Sequence, residues 1–223
     1  MSGFDLVMFD LDGTLVETAP EIMDAVNDAL QRFSLPEVTQ KQVDDWIGHG
    51  TLELLVKALA QITGFAPETV RASALLNQIV PVYNMAYNAR CGTRSHLYPQ
   101  VRETLVALRE QRARLVVVTN KESRYTQVVL DVHQITSLFD MVISGDTFAT
   151  KKPSPVGVNS CLERFSVAPE RALFVGDSSI DVATARAAGV PVWMLPYGYN
   201  MGEPIAACAP DRVIQDISLL LNA

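Results

Sequence analysis

The sequence predicts an α/β fold: a doubly wound parallel sheet, Rossmann-like, with an inserted all-helical cap domain. Three observations predict it. Short, continuous apolar runs rich in β-branched residues stop at polar or acidic residues, as strands buried on both faces do. From residue 101 onward such runs alternate with helical patterns. Residues 16–96 break that rhythm with helical pattern alone, so the expected division is 1–15 plus 97–223 for the α/β core and 16–96 for the cap.

The first run, residues 6–9, ends at Asp10. In the insert, Ile22, Val26, Leu30 and Phe33 share one helical face, with Pro20 in the first turn, where its missing N–H has no helical partner to lose. Thr39 is placed to cap a short helix reaching Trp46. After Gly48-His49-Gly50, a second stripe of Leu52, Leu55, Val56, Leu59 and Ile62 closes at Gly64. Pro67 opens a last helical segment towards Arg90, expected to bend or break near Pro81. Back in the core, Val101, Leu105 and Leu108 lie on one helical face before the run 115–118, which stops at Thr119. Val128 and Val129 mark the next helix, and the run 141–143 ends at Ser144-Gly145-Asp146. Val158 and Leu162 mark another helix, and 173–175 stop at Gly176-Asp177. A small-residue helix over 181–188 closes at Gly189, and the run 190–195 ends at Pro196. Residues 211–222 read as a short strand and a helical turn.

Composition narrows the function. The 223 residues are 48% hydrophobic and 19% charged, which fits neither disorder nor a coiled coil. No apolar run is long enough to span a bilayer, and the first residues carry an early acid and no basic stretch, unlike a secretory signal. The net charge of −7 and the lack of a basic run argue against nucleic acid as a partner. An anionic chain that handles an anionic substrate needs a local cation. Cys91, Cys161 and Cys208 are scattered, odd in number and outside C-x-x-C spacing, as expected for reduced thiols in a cytoplasmic protein. His96 and His133 belong to no motif and read as structural or surface residues.

Four strand ends carry the chemistry. Asp10-Leu11-Asp12-Gly13-Thr14 puts two carboxylates on one side of an extended segment, where like charges are costly unless a cation or a shared proton relieves them. A solvated turn could hold both, but this pair directly follows a buried run, at the edge where open parallel sheets bind ligands. Thr119-Asn120 offers a hydroxyl, an amide and backbone donors to an anion, or is an ordinary turn pair. Lys152 precedes Pro153, which suits the first position of a helix. An ammonium beside a helix N-terminus suits phosphate oxygens, the alternative being a solvated loop lysine. The segment from Gly176 to Asp181 sets Asp177 and Asp181 four apart across a strand-to-helix turn, where Asp181 could equally be a helix cap. All four groups meet at one edge if the strands are parallel.

This set (D-x-D-G-T at 10–14, T-N at 119–120, K-P at 152–153, G-D-x-x-x-D at 176–181) resembles the haloacid dehalogenase superfamily of aspartate-nucleophile phosphohydrolases. The resemblance covers essentially the whole chain, and the helical insert resembles the superfamily's first cap class. Ile47-Gly48-His49-Gly50, Lys151-Lys152-Pro153-Ser154-Pro155 and Tyr197-Gly198-Tyr199-Asn200 with Gly202-Glu203-Pro204 resemble its phosphoglycolate-hydrolysing branch. Gln100 departs from the glycine that relatives commonly carry at the cap-to-core return.

The resemblance implies a Mg²⁺-dependent phosphomonoester hydrolase. Asp10 would form an aspartyl-phosphate, and Asp12 would protonate the leaving alkoxide and then activate water. Mg²⁺ would sit on Asp10, Asp177 and the backbone carbonyl of Asp12, an all-oxygen set with no His/Cys cluster to favour zinc. Lys152, Thr119 and Asn120 would neutralise and orient the phosphoryl oxygens, and Asp181 would stand behind them, orienting Lys152 or a metal-bound water. Gly48 and His49 would meet the substrate from the cap, His49 either at a substrate carboxylate or as a plain polar loop residue. A carboxylate at position 12 favours phosphate esters over the haloacid and phosphonate chemistries of relatives that lack one. The expected partner is a small phosphorylated metabolite, 2-phosphoglycolate first, acted on by a monomer or homodimer. The alternatives are another small organic phosphate (a sugar phosphate or pyrophosphate), a phosphomutase, and a catalytically silent binding protein.

Overall fold

Leu6, Val7, Met8 and Phe9 form β1 (Leu6–Phe9), and all four are buried because the sheet is covered on both faces. Leu6 and Met8 pack into one apolar cluster, Val7 and Phe9 into another on the opposite face. The structure is a computed structural model and describes residues 3–222. After β1 come β2 (Val16–Glu17) and the helices α1 (Ala19–Arg32), α2 (Gln40–Asp44), α3 (Thr51–Thr63), α4 (Pro67–Arg71) and α5 (Ala74–Arg90). The chain returns through β3 (His96–Leu97) to α6 (Val101–Glu110), β4 (Arg114–Val118), α7 (Ser123–Val132), β5 (Met141–Ile143) and α8 (Val156–Phe165). It ends with β6 (Ala172–Gly176), α9 (Ser179–Ala187), β7 (Val192–Met194), β8 (Arg212–Val213) and a 3₁₀ segment, Ile217–Asn222.

Six strands form one parallel sheet in the order β5-β4-β1-β6-β7-β8. The chain builds outwards from β1 to β5 and then crosses to β6 on the other side of β1. Strand order therefore reverses beside β1, where such sheets open a crevice at the carboxyl ends of the strands. This is the doubly wound α/β arrangement that the apolar runs predict. Phe9 is in register with Val117 and Val175, so the residues that follow (Asp10, Thr119, Asp177) leave the sheet at one edge.

β2 and β3 pair antiparallel, Val16 opposite Leu97 and Glu17 opposite His96, with His96 Nε2 2.7 Å from Glu17. The two crossings between the sheet and α1–α5 are thereby tied side by side. α1 packs along α5. The apolar cluster that holds Val7 and Phe9 continues into Ile22, Leu30, Leu55 and Tyr83, so the helices share a core with one face of the sheet. No described helix is long and apolar enough to cross a membrane.

Several local expectations change. The last helical segment breaks at Ala72-Ser73, between α4 and α5, and not at Pro81. Ser73 caps α5 by accepting from Leu76 N–H at 3.1 Å, while Pro81 and Asn77 lie on the exposed face, where water can take the carbonyl that proline leaves unpaired. Leu52 is 49% exposed, since α3 buries the face of Leu54, Leu55, Val56, Ala58 and Leu59. Pro153 does not start a helix. Ser154 precedes a second proline, Pro155, which disfavours the α conformation at 154, and α8 opens only at Val156. Gln100 takes φ 64°, the left-handed conformation that a glycine adopts freely, at the start of α6.

Candidate active site

Asp10 leaves β1 with its N–H still in the ladder, donating to the Val175 carbonyl at 3.0 Å. Its carboxylate accepts from Leu11 N–H at 2.7 Å and lies 2.9 Å from Lys152 Nζ. Lys152 is buried, arrives from the turn before α8, and also reaches Asp181 Oδ1 at 2.7 Å. That turn is held in place by Asn120 Nδ2, which donates to the Lys152 carbonyl at 3.0 Å. Lys152 is thus a buried member of the site and not a solvated loop residue, and the helix expected to open at Pro153 begins only at Val156.

Asp177 emerges one residue past β6. Thr14 Oγ1 donates to its Oδ1 at 2.5 Å and Tyr199 N–H to its Oδ2 at 2.6 Å. Space around it is kept by glycines: a Cβ on Gly13 (φ 86°) or on Gly198 would stand 2.3 Å from Asp177 Oδ2. Asp181, fully buried in the first turn of α9, accepts through Oδ2 from the N–H groups of Asp177 (3.2 Å) and Ser178 (3.1 Å) and from Ser178 Oγ (2.9 Å). It therefore closes the helix end and steadies Lys152 at once.

Carboxylate oxygens of Asp10, Asp177 and Asp181 lie within 4.8 Å of one another. Burial pushes Asp10 up to about 6, against the pull of Lys152 and with Asp181 and Asp12 adding to the rise. Burial, then Asp181 and Asp10, push Asp177 well above the usual carboxylate range. Burial would lower Lys152, but Asp10 and Asp181 outweigh it and its pKa rises. Both partners of the Asp10–Lys152 pair move upward: at Asp10, burial and the neighbouring acids outweigh the pull of Lys152, and at Lys152 the two carboxylates together outweigh burial. The donor set is oxygen only and in excess of negative charge, which fits a hard divalent cation. Asp181 Oδ2 is already saturated by three donors, so Asp10 and Asp177 are the carboxylates placed to hold such an ion. The Asp12 carboxylate lies outside this cluster.

Asp12 has other partners. Thr18 Oγ1 donates to its Oδ1 at 2.7 Å, and Lys121 Nζ contacts Oδ1 and Oδ2 at 3.0 and 3.2 Å. Lys121 is buried and also donates to the Tyr87 hydroxyl at 2.6 Å. Burial opposes its charge, but Asp12 outweighs burial and its pKa rises. Asp10, Asp12, Thr119, Asn120, Lys121 and Glu122 line the sheet side of a cavity of about 50 Å³, faced by Ile22, Ile47, Gly48, Gly50, Thr51, Leu54, Tyr83 and Tyr87 from α1, α3, α5 and the loop between α2 and α3. That space has room for roughly three or four waters.

Thr119 is buried with its hydroxyl accepting from Lys121 N–H at 3.3 Å. The expectation that the Asn120 amide donates to an anion is overturned: both its hydrogens are committed, to the carbonyls of Gly48 (2.9 Å) and Lys152 (3.0 Å), and its Oδ1 is buried without a partner. Among the described residues the backbone N–H groups of Asp12 and Asn120 have no acceptor, leaving them as the donors at this edge. Gly48 lines the cavity and His49 does not. His49 is half-buried near Glu53, Lys57 and Lys151, and burial, with the two lysines, lowers its pKa. The sequence alone assigns no individual role to Lys121, Tyr87, Thr14, Thr18, Gly13 or Gly198, although Gly198 stands in the Tyr197-Gly198-Tyr199-Asn200 string. Thr14 and Gly13 sit within the D-x-D-G-T string, and Lys121 directly follows Thr119-Asn120.

Comparison with known proteins agrees with this geometry. Residues 7–195 match the family model described as haloacid dehalogenase-like hydrolase. The chain is 40% identical over 216 residues to a phosphoglycolate phosphatase of Aliivibrio fischeri, covering 97% of this chain and 94% of that one. It is also 40% identical to a phosphoglycolate phosphatase of Vibrio cholerae, covering 100% and 97%. A crystal structure from Haemophilus somnus 129PT, described as a predicted phosphoglycolate phosphatase, superposes with a TM-score of 0.92 at 34% identity, covering 100% and 98%.

Proposed function

The chain belongs to the haloacid dehalogenase-like hydrolases, and on that basis we propose that it hydrolyses a small phosphate monoester, 2-phosphoglycolate first, through an aspartyl-phosphate on Asp10. One observation carries the reading. Two carboxylates two positions apart, Asp10 and Asp12, line one cavity but sit in different electrostatic surroundings. Asp10 is bound to Lys152 and crowded by acids, whereas Asp12 is bound to Lys121 and Thr18. Paired acids in unlike environments are how a site separates a nucleophile from an acid–base group.

Asp10 attacks phosphorus as the bond to the alkoxide breaks, and Asp12 supplies the proton that the leaving oxygen takes. Asp12 then removes a proton from the water that releases phosphate, and Asp10 is regenerated. The unpaired N–H groups of Asp12 and Asn120, the Thr119 hydroxyl and Lys152 are the donors for the nonbridging oxygens. Mg²⁺, held by Asp10 and Asp177, would neutralise charge between the nucleophile and the phosphate. Asp181 acts on Lys152 and on the start of α9. Residues 16–96 act as the cap, presenting Gly48, Gly50 and Thr51 to the substrate and excluding water.

The test is Mg²⁺-dependent phosphate release over a panel of small esters including 2-phosphoglycolate, sugar phosphates and pyrophosphate. A preference of at least about tenfold in kcat/KM for 2-phosphoglycolate supports the substrate assignment, a factor worth about 1.4 kcal/mol. A stronger preference for a sugar phosphate, or interconversion of sugar phosphates without phosphate release, contradicts it.

A further inference from the structure

We propose that Tyr87, acting through Lys121, is a positioning residue for the acid–base carboxylate of Asp12. The inference rests on the proton-transfer role given to Asp12 above and adds what holds that carboxylate in place.

Lys121 Nζ spans both oxygens of Asp12, at 3.0 and 3.2 Å, and its hydrogen bond to the Tyr87 hydroxyl is its shortest contact, at 2.6 Å. The ammonium also stands 4.9 Å from the centroid of the Tyr87 ring. A lysine side chain has four rotatable bonds, and a single ion pair leaves it free to pivot. A second, fixed acceptor removes that freedom. Tyr87 is fixed: it is 1% exposed, with ring centroids of Tyr83 and Tyr125 at 5.7 and 4.5 Å.

The Tyr87 hydroxyl is backed in turn by Glu21, whose Oε1 lies 3.5 Å away. Glu21 is fully buried, and its Oε2 accepts from the N–H groups of Arg94 (3.2 Å) and Ser95 (3.1 Å), immediately before β3. The Asp12 carboxylate is therefore tied through Lys121, Tyr87 and Glu21 to the segment where the helices rejoin the sheet. Thr18 Oγ1 adds a contact to Asp12 Oδ1 from the other crossing. Oδ1 carries the two shorter contacts and Oδ2 only the 3.2 Å one, so Oδ2 is the oxygen left to carry the transferred proton. In the first step that proton passes from Oδ2 to the leaving alkoxide as its bond to phosphorus breaks. In the second, Oδ2 takes a proton from water.

The test compares two substrates of similar size with unlike leaving groups: 2-phosphoglycolate, whose alkoxide must be protonated, and acetyl phosphate, whose acetate leaves without help. Tyr87→Phe keeps the ring and removes the hydroxyl. The expected result is about a tenfold fall in kcat/KM on 2-phosphoglycolate, with kcat/KM on acetyl phosphate within about twofold, because kcat/KM reports departure of the leaving group and not the water step that both substrates share. In an Asp12→Ala background, Tyr87→Phe should cause no further loss on 2-phosphoglycolate, because residues acting as a unit are not additive. An equal loss of kcat/KM on both substrates, or an additive loss in that background, would overturn the proposal. Lys121→Met must show the same leaving-group pattern, and it carries the test should Tyr87→Phe fail to fold. If Asp12→Ala itself lowers kcat/KM on both substrates alike, the acid role of Asp12 fails. If Asp12→Ala discriminates and Tyr87→Phe does not, only the positioning role fails.

Discussion

Lys152 Nζ lies between Asp10 Oδ2 at 2.9 Å and Asp181 Oδ1 at 2.7 Å, the only ammonium among the described residues paired with the three-carboxylate cluster. Removing it as Lys152→Met leaves two buried carboxylates without their counter-charge, an effect of about 3–5 kcal/mol for a broken buried pair. The loss should shrink on acidification, because a protonated carboxyl no longer needs the cation. Thermal melts of the metal-free variant and parent near pH 8 and near pH 5 check this. An equal loss at both would show that the ion pairs are not what Lys152 contributes.

Metal binding should be linked to protons. In the metal-free chain Asp10 titrates at about 6 against an ordinary value of 3.8, so the folded state holds the extra proton between those values. Its contribution to stability is complete below about pH 3.8 and is lost as pH rises through about 6. A divalent cation takes the place of those protons. Mg²⁺ should therefore raise Tm more near pH 7.5 than near pH 5, and calorimetry near pH 6 in buffers of unlike ionisation enthalpy should report proton release. The same Tm gain at both pH values would place the ion away from Asp10 and Asp177.

Asp177 depends on two missing side chains. A Cβ at Gly198 would stand 2.3 Å from Asp177 Oδ2 and 2.4 Å from the Gly13 carbonyl. Gly198→Ala should displace that carboxylate and raise the Mg²⁺ concentration for half-maximal activity by about tenfold or more, on the scale of a disturbed ligand shell. Far-UV circular dichroism should remain that of the parent. Unchanged Mg²⁺ dependence would mean that Asp177 does not bind the ion.

Gln100 holds a left-handed φ of 64° at the start of α6. A glycine there relieves strain of about 1 kcal/mol or more and adds unfolded-state entropy of similar size, so Gln100→Gly should be neutral to slightly stabilising. A β-branched residue, as in Gln100→Val, should cost more than about 1 kcal/mol. Denaturant melts of the three proteins decide it, and a destabilised glycine variant would contradict the strain argument.

Much of the site is legible in the sequence because each reactive group stands one or two positions beyond a continuous apolar run. Asp10, Thr119 and Asp177 follow β1, β4 and β6 directly, so the parallel register alone brings them to one edge. Lys121 was hidden because a lysine beside a turn pair looks like any solvated lysine. Its burial comes from Tyr87 on α5, 34 positions away, and no local pattern announces that contact. Pro81 misled because a proline weakens a helix only where the lost hydrogen bond is not replaced, and here it faces water. Asn120 misled in another way. Its amide reads as an anion donor, but the chain spends it on two carbonyls, joining the Gly48 loop to the Lys152 turn. His49 lies in a loop whose glycines face the cavity while its own ring does not.

The central claim is that a phosphoryl group passes through the Asp10 side chain. Rapid acid quench of enzyme turning over 2-phosphoglycolate, followed by reduction with tritiated borohydride and peptide mapping, tests it most directly. The account predicts label on the peptide containing Asp10, its conversion to homoserine at that position, and decay of the label at the turnover rate. A peptide that never carries label, together with inversion of configuration at phosphorus, would show that water attacks the ester directly and would contradict the account.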